Sequence, residues 1–152
     1  MRQHATVRAA CVQVHLSPLR FHGWAAVYWQ EYEALSDESR ESSVAYLLLC
    51  RAIELEFKAW HRQAIRAYRL IDRFRHDLVA SYWALPKKYQ VLSVDELSVL
   101  EQATSVYLRQ GFENAEVCRG RMEFAGDVEI GDLLAVAQKI MGHGDRLNLR
   151  WR

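Results

Sequence analysis

The sequence has few residues that break regular structure, since its 152 residues include only two prolines and seven glycines. A sandwich of many short strands needs frequent turns, and a collagen-like chain needs a glycine repeat, so this scarcity argues against both and leaves room for long helices. Hydrophobic residues make up 51% of the chain and charged residues 26%, the balance of a folded globular protein rather than a disordered one. The length suits a single domain.

Cysteines and long apolar runs are also scarce. Cys11, Cys50 and Cys118 are odd in number, lie far apart and form no C-x-x-C pair, which argues against a disulfide framework and a zinc knuckle. No apolar run approaches the ~18–20 residues that cross a bilayer. Residues 5–16 contain an arginine, a glutamine and a histidine, so they make a poor signal-peptide core. The sequence therefore predicts free thiols in a cytoplasmic protein that does not enter a membrane.

Several well-known catalytic and binding motifs do not occur. The chain contains no H-E-x-x-H, no E-x-x-H di-iron pattern, no G-x-x-x-x-G-K-[ST] loop and no G-x-S-x-G. We therefore expect neither a metal nor a cofactor.

Neither sign of charge dominates, because 20 lysines and arginines face 19 acidic residues and the formal net charge is +1. This balance excludes a broad basic coat for long nucleic acids. Basic residues nevertheless concentrate at steps of three and four positions in one region. They are Lys58, Arg62, Arg66, Arg69 and Arg73.

On a helix, that spacing places the five cations on one face. The functional interpretation is a phosphate-binding stripe for RNA or a nucleotide. The alternative is a solvated face, or one paired with acidic residues of the first predicted helix.

Hydrophobic periodicity predicts about five helices. The strongest signal is an apolar face that recurs every three or four residues from Leu49 to Phe74, with an interruption expected near 63–66. Ser93 and Glu96 form a capping box at the start of a later helix. The other predicted helices cover residues 22–35, 76–85, 94–111 and 128–141.

Short connections between these helices favour antiparallel neighbours, so the fold class is all-α, an up-and-down helical bundle. The bundle is expected to cover residues 23–142. Residues 1–22 form a leader of uncertain structure. The glycines around His143 are expected to end the last helix, which leaves residues 143–152 as a tail.

A candidate polar cluster comprises Glu54, Lys58, His76 and Asp77. Glu54 and Lys58 are an i,i+4 pair in the favourable orientation, and His76 and Asp77 lie at a predicted helix start. The functional interpretation is that the four side chains line a site. The alternative is a structural network that locks one helix against the next.

Two motifs in this region resemble the HEPN-like superfamily. Residues 52–59 read A-I-E-L-E-F-K-A and residues 75–78 read R-H-D-L, similar to the A-I-E-L-x-x-K-A helix and the following G-H-D-L of many members. A later helix of the family resembles residues 97–108 together with Phe112, so the similarity covers roughly residues 24–141. The resemblance implies an all-α bundle that is commonly dimeric. Family roles include RNA cleavage, toxin partnership with small nucleotidyltransferases, and non-catalytic binding or scaffolding.

The chain departs from the family pattern in two places. Arg75 stands where the second motif has glycine. Catalytic members carry an arginine, four to six residues and a histidine on a late helix, whereas none of the late arginines here is followed by a suitably spaced histidine. Arg69 and His76 do have that spacing, but at the position of the H-D-L motif.

Three functional hypotheses follow. The first is a non-catalytic module that binds RNA, a nucleotide or a partner protein, such as a nucleotidyltransferase, through its basic helix face. The second is a metal-independent endoribonuclease of the toxin type, in which Arg69 clamps a phosphate and His76 is the general acid and base. The third is a structural subunit without nucleic-acid contact.

The chain also has more aromatic residues than a small core requires. Trp24, Trp29, Trp60 and Trp83 are the candidates for a surface that faces a partner. Together with the habit of the family, this surplus predicts a homodimer.

Overall fold

The structure is a computed structural model that describes residues 17–64, 73–108 and 129–147, and residue 149. Within these residues the chain forms five α-helices and no β-strand, which confirms the predicted all-α bundle. The helices are α1 (Pro18–Glu33), α2 (Ser43–Ala64), α3 (Leu78–Trp83), α4 (Val94–Leu108) and α5 (Ile130–Arg146). None of them combines the length and the apolar character that a membrane-spanning helix needs.

Helix α1 begins earlier than the predicted start near residue 22. The hydroxyl of Ser17 accepts a hydrogen bond from the backbone N–H of Arg20 at 3.2 Å, and Pro18 occupies the first helical position. Serine at the N-cap and proline just after it are favourable because the first amides of a helix have no backbone partner within the helix. The helix therefore includes part of the predicted leader.

The predicted capping box at the start of α4 is confirmed. The N–H of Ser93 donates to Glu96 Oε2 at 2.7 Å, and the N–H of Glu96 donates to Ser93 Oγ at 3.2 Å. The same Glu96 oxygen accepts from Lys139 Nζ at 2.7 Å. This local cap thus also joins α4 to α5.

Helix α2 is the centre of the bundle, and the other four helices pack against it. Leu49, Ile53, Phe57 and Trp60 are completely buried, as the predicted apolar face requires. Each such side chain contributes about 1.5–3 kcal/mol through burial. Helix α2 is described as far as Ala64, and the window near 63–66 where the sequence predicts an interruption extends outside the described residues.

Aromatic rings fill the end of the core where α2 meets α3 and α5. The ring of Phe57 lies 5.4 Å from that of Trp60 and 5.7 Å from that of Tyr82. The other face of this group is closed by Tyr89, at 6.2 Å from Trp60, and by His143, at 5.1 Å. Trp60 is therefore a core residue, and its assignment to a partner surface is wrong, whereas Trp24 and Trp83 are exposed.

The end of α5 differs from the prediction. The sequence pattern ends this helix at the glycines that flank His143, but α5 continues through Gly142 and Gly144 to Arg146. Gly144 is buried against the carboxylate of Glu56, where a larger residue has no room. Glycine here permits two helices to approach closely, so the tertiary contact overrides its low helix propensity.

Helices α1 and α2 run antiparallel. His22 near the start of α1 contacts Glu56 in the second half of α2, while Tyr28 in the middle of α1 lies beside Arg51, earlier in α2. The buried face of α1 includes Phe21, whereas Trp24 points away from the core. This arrangement leaves a groove along the line where the two helices meet.

Candidate functional site

The carboxylate of Glu54 is the centre of a polar cluster inside the bundle. Its side chain is only 4% exposed. Oε1 accepts from Lys58 Nζ at 2.9 Å, and both carboxylate oxygens lie 3.0 Å from Arg51 Nη1. Oε2 also accepts from His76 Nδ1 at 3.0 Å and from the hydroxyl of Tyr107 at 2.5 Å. We call these five residues the Glu54 network.

The Glu54 network connects three separate parts of the chain. Arg51 and Lys58 precede and follow Glu54 on α2 by about one turn, so all three share a helix face. His76 comes from the turn before α3, and Tyr107 comes from α4. The edge of the His76 ring packs on Tyr107, with ring centres 5.0 Å apart. The network therefore holds α4 and the start of α3 against α2.

The surroundings of Glu54 favour its ionised form. Burial alone would raise the pKa of this carboxyl, but the charge of Lys58 and the hydrogen bonds of the network outweigh burial and hold the pKa below its ordinary value. Burial and the neighbouring carboxylate together raise the pKa of Tyr107. Glu54 is therefore a carboxylate that accepts a phenolic hydrogen bond.

One carboxylate in this network faces two permanent cations, Arg51 and Lys58. The local charge is therefore positive even when His76 is neutral. Both cationic side chains remain partly accessible to solvent. An anion that reaches them meets charges whose positions are already fixed by Glu54.

These two cations also line the groove between α1 and α2. The groove has a volume of about 560 Å³. Its lining consists of Phe21, Trp24, Val27, Tyr28, Arg51, Leu55 and Lys58. We call it the α1–α2 groove.

The exposed aromatic wall of the groove belongs to α1. Trp24 is 44% exposed and lines the groove beside Val27, which is 51% exposed. The guanidinium of Arg51 lies 6.0 Å from the centre of the Tyr28 ring, a cation–π contact that orients this side chain. The groove therefore offers an apolar aromatic face beside fixed positive charge.

Only part of the predicted phosphate-binding stripe lies within the described residues. Lys58 and Arg62 lie on α2, and Lys58 bonds to Glu54. Arg73 is exposed in a turn, so the prediction that one helix carries the stripe as far as this residue is wrong. Arg66 and Arg69 lie outside the described residues.

Three of the four residues in the predicted polar cluster come together in the structure, and the fourth does not. Glu54, Lys58 and His76 meet in the Glu54 network. Asp77 instead forms the N-cap of α3, where its Oδ1 accepts from the N–H of Ala80 at 2.9 Å. Its inclusion in the cluster is wrong, because a helix start needs a nearby acceptor and this carboxylate supplies it.

Sequence reasoning missed two members of the Glu54 network. Arg51 is three positions before Glu54, so helical spacing alone could have placed it there. Tyr107 is 53 positions from Glu54, so no local pattern in the sequence indicates their hydrogen bond.

Arg75 has a backbone φ of 47°, the left-handed conformation that glycine adopts without strain. It precedes His76 directly, so this turn sets the position of the imidazole beside Glu54.

No family model, curated protein or solved structure matches this chain. The resemblance to the HEPN-like superfamily therefore stays a prediction. Within residues 17–64, 73–108 and 129–147, no group of three or more histidine, cysteine, aspartate or glutamate side chains is arranged to hold a metal ion.

Proposed function

We propose that this protein is a non-catalytic helical module that binds RNA or a nucleotide in the α1–α2 groove. The observation that carries the proposal is the pairing of an exposed aromatic wall with two cations that Glu54 fixes in place. A nucleotide has the complementary parts, a flat base and an anionic phosphate.

The aromatic wall suits a base because every base has a π-face. Stacking on an aromatic side chain contributes about 1–3 kcal/mol per base and tolerates different sequences. Trp24 is the exposed ring, and Tyr28 lies beside it in the groove. We expect the base to lie on Trp24.

The cationic wall suits a phosphate. Arg51 presents a planar guanidinium, whose donors match two phosphate oxygens, and Lys58 adds a second positive charge. Their bonds to Glu54 already restrict both side chains. Binding therefore costs less side-chain entropy than it would with two freely rotating cations.

Further features support the wider proposal of a cytoplasmic, HEPN-like homodimer. Arg75, at the position of the glycine in the resembled motif, has a positive φ that suits a glycine. Cys50 is a buried free thiol, as a reducing compartment allows, and burial raises its pKa, which argues against a nucleophile. Trp83 is an exposed apolar residue for a partner protein, either a second copy or a nucleotidyltransferase.

The test is fluorescence anisotropy with a labelled single-stranded RNA of about ten nucleotides, beside competition by adenosine monophosphate. We expect binding that weakens as salt is raised, because phosphate contacts release counterions. Trp24→Ala should raise Kd about tenfold or more through lost stacking. Lys58→Met, which keeps the aliphatic stem, should weaken binding and reduce the dependence on salt.

Two control variants test whether the loss of binding is specific to residues of the groove. Trp83→Ala removes another exposed tryptophan, and Lys87→Met removes an exposed lysine of the connection after α3. Both should bind like the wild type. Equal losses of RNA affinity in Trp24→Ala and Trp83→Ala would contradict the assignment of RNA binding to the α1–α2 groove. If neither RNA nor mononucleotide binds at low salt, the structural-subunit hypothesis is favoured.

The geometry of His76 supports a second candidate function, a metal-independent endoribonuclease. Since a carboxylate only accepts hydrogen bonds, the contact with Glu54 places the proton of a neutral His76 on Nδ1. Within the described part of the chain Nε2 bonds to no other residue, and the side chain is 40% exposed. A histidine held in this way can exchange a proton with a substrate through Nε2.

Incubation of the protein with a mixed RNA pool in EDTA tests this candidate. His76→Asn keeps a donor that can reach Glu54 but cannot transfer protons, so cleavage by the wild type alone would support the enzyme. Matching thermal stability of the two proteins would show that the loss is chemical. Absence of cleavage by the wild type would leave the binding module as the conclusion.

A further inference from the structure

A second buried carboxylate forms a network on the side of α2 that faces α5. His22 of α1 lies between two acidic side chains, with Nδ1 at 2.7 Å from Glu56 Oε2 and Nε2 at 3.2 Å from Asp145 Oδ1. Glu56 is completely buried, whereas Asp145 is 72% exposed. Trp60 Nε1 donates to the other oxygen of Glu56 at 2.8 Å. We call these four residues the His22 network.

The positions of the two acids favour the protonated form of His22. A neutral imidazole has one donor nitrogen and one acceptor nitrogen, whereas an ionised carboxylate only accepts. In either neutral tautomer one ring nitrogen would therefore direct its lone pair at a carboxylate oxygen of Glu56 or Asp145. Only the imidazolium carries a proton on both nitrogens, so it alone can hydrogen-bond to Glu56 and form the ion pair with Asp145.

We infer that protonated His22 is a pH-sensitive clamp that fastens α1 and the end of α5 to α2 and releases the end of α5 when it loses its proton. The three groups of the clamp come from three different helices, so both ion pairs of the charged imidazole join one helix to another. Glu56 is the inner anchor, and Asp145 is the outer anchor that can turn to solvent.

The inner anchor is rigid for a packing reason. Glu56 is fixed by Trp60 on its own helix and is covered by Gly144 of α5. It has no room to follow a departing partner. Asp145 is exposed on the next residue of α5, so repulsion from a deprotonated ring acts on this outer contact first.

Other titratable and charged groups also lie near the clamp. On α5, Arg146 lines the same cavity as His22 and Asp145, and His143 packs its ring on Trp60. On α2 the facing group is Glu56, and the neighbours of His22 one turn away on its own helix, Leu19 and Ala26, are uncharged.

Solvent has direct access to the clamp. A cavity of about 400 Å³ lies beside His22 and is lined by Asp145, Arg146, Leu147 and Leu149. Protons can therefore exchange at the imidazole without unfolding of the bundle. The last residues of α5 and the segment after it line this cavity, so they are the part of the chain that the clamp controls.

The direction of the pH effect follows from the same contacts. The hydrogen bond to Glu56 raises the pKa of His22, burial opposes this, and the charges of Glu56 and Asp145 raise it further, so that its pKa lies above 6.5 in the folded state. A raised pKa means that the stabilisation is complete below 6.5 and is lost as pH rises through the folded value. The end of α5 should loosen as pH rises through this raised pKa.

The experiment combines two measurements on the full chain between about pH 5.5 and about pH 8.5, a range that brackets an imidazole. Long-range proton–nitrogen NMR spectra report whether both nitrogens of His22 carry protons, with His22→Gln used for assignment. Hydrogen exchange, expressed as protection factors, reports the stability of the last turn of α5.

In the wild type we expect two protonated nitrogens at the acidic end and a several-fold fall in the protection of Arg146 and Leu147 amides as His22 titrates. Asp145→Asn keeps the fold, since residue 145 is exposed, and should flatten this dependence. Glu101→Gln, at an exposed position of α4, is the control and should behave like the wild type.

A neutral His22 at the acidic end would overturn the proposal. Equal pH dependence of protection in the wild type and Asp145→Asn would overturn it as well. If His22→Gln does not fold, the assignment can be made from contacts of the ring with Glu56, and the Asp145→Asn comparison still decides.

Discussion

Gly144 of α5 lies directly against the carboxylate of Glu56 on α2, and a Cβ added at position 144 would stand 2.6 Å from the carboxyl carbon. Glu56 cannot turn away without breaking its hydrogen bonds to Trp60 and His22. The close approach of the two helices therefore depends on the missing side chain of one glycine. Gly142, one half-turn earlier in the same helix, has no heavy atom near its own Cβ position.

This contrast predicts opposite effects of the same substitution. Gly144→Ala should lower the free energy of unfolding by about 1–3 kcal/mol, because it forces a packed site to expand. Gly142→Ala should raise it by roughly 0.5–1 kcal/mol, because alanine is the better helix former and meets no obstacle. Urea unfolding followed by circular dichroism measures both. Effects of the same sign would show that the contact with Glu56 is not decisive.

The Glu54 network predicts a graded loss of stability. Tyr107→Phe removes the hydrogen bond to the charged Glu54 and should cost about 1.5–3 kcal/mol. Glu54→Gln leaves Arg51 and Lys58 without their anion and should cost more, about 3–5 kcal/mol. Chemical denaturation gives both values. The reverse order would mean that the buried carboxylate contributes less than its phenolic partner.

The loss of stability at acidic pH should depend on Glu54. Its pKa in the folded protein lies below its ordinary value of 4.5, so its stabilisation is complete above 4.5 and is lost as pH falls through the lowered folded pKa. The wild type should therefore lose free energy of unfolding more steeply than Glu54→Gln in this acidic range. Urea midpoints measured at a series of pH values provide the comparison. Parallel slopes for the two proteins would contradict the assignment.

The turn before His76 contains a residue whose replacement should stabilise the protein. Arg75 has a positive φ of 47°, which costs about 1–2 kcal/mol for a residue with a side chain. Glycine avoids this strain but loses roughly 0.5–1 kcal/mol of chain entropy, so Arg75→Gly should raise stability by up to about 1 kcal/mol. Thermal unfolding measures the change.

Arg73→Gly is the matched control for that substitution. Arg73 is exposed in the same turn and has no positive φ, so glycine there brings only the entropic cost and should lower stability slightly. A gain in both variants would show that the conformation of Arg75 is not the cause.

Local sequence signals were sufficient where the residues that form the determining contact are close together in the sequence. The capping box of Ser93 and Glu96 and the pairing of Glu54 with Lys58 each lie within one helical turn, and both appear in the structure. The apolar face of α2 was predictable for the same reason, since a period of three to four residues fixes which side chains face the core.

The sequence by itself determined that this protein is an all-α bundle, because helix caps and hydrophobic periodicity act between near neighbours. The tertiary structure alone decided which groups the buried carboxylates meet. Tyr107 is 53 positions from Glu54, and His22 is 34 positions from Glu56, so no local pattern joins them. The same reason explains the error at the end of α5, where glycines that usually end a helix are kept within it because Gly144 gives Glu56 its space.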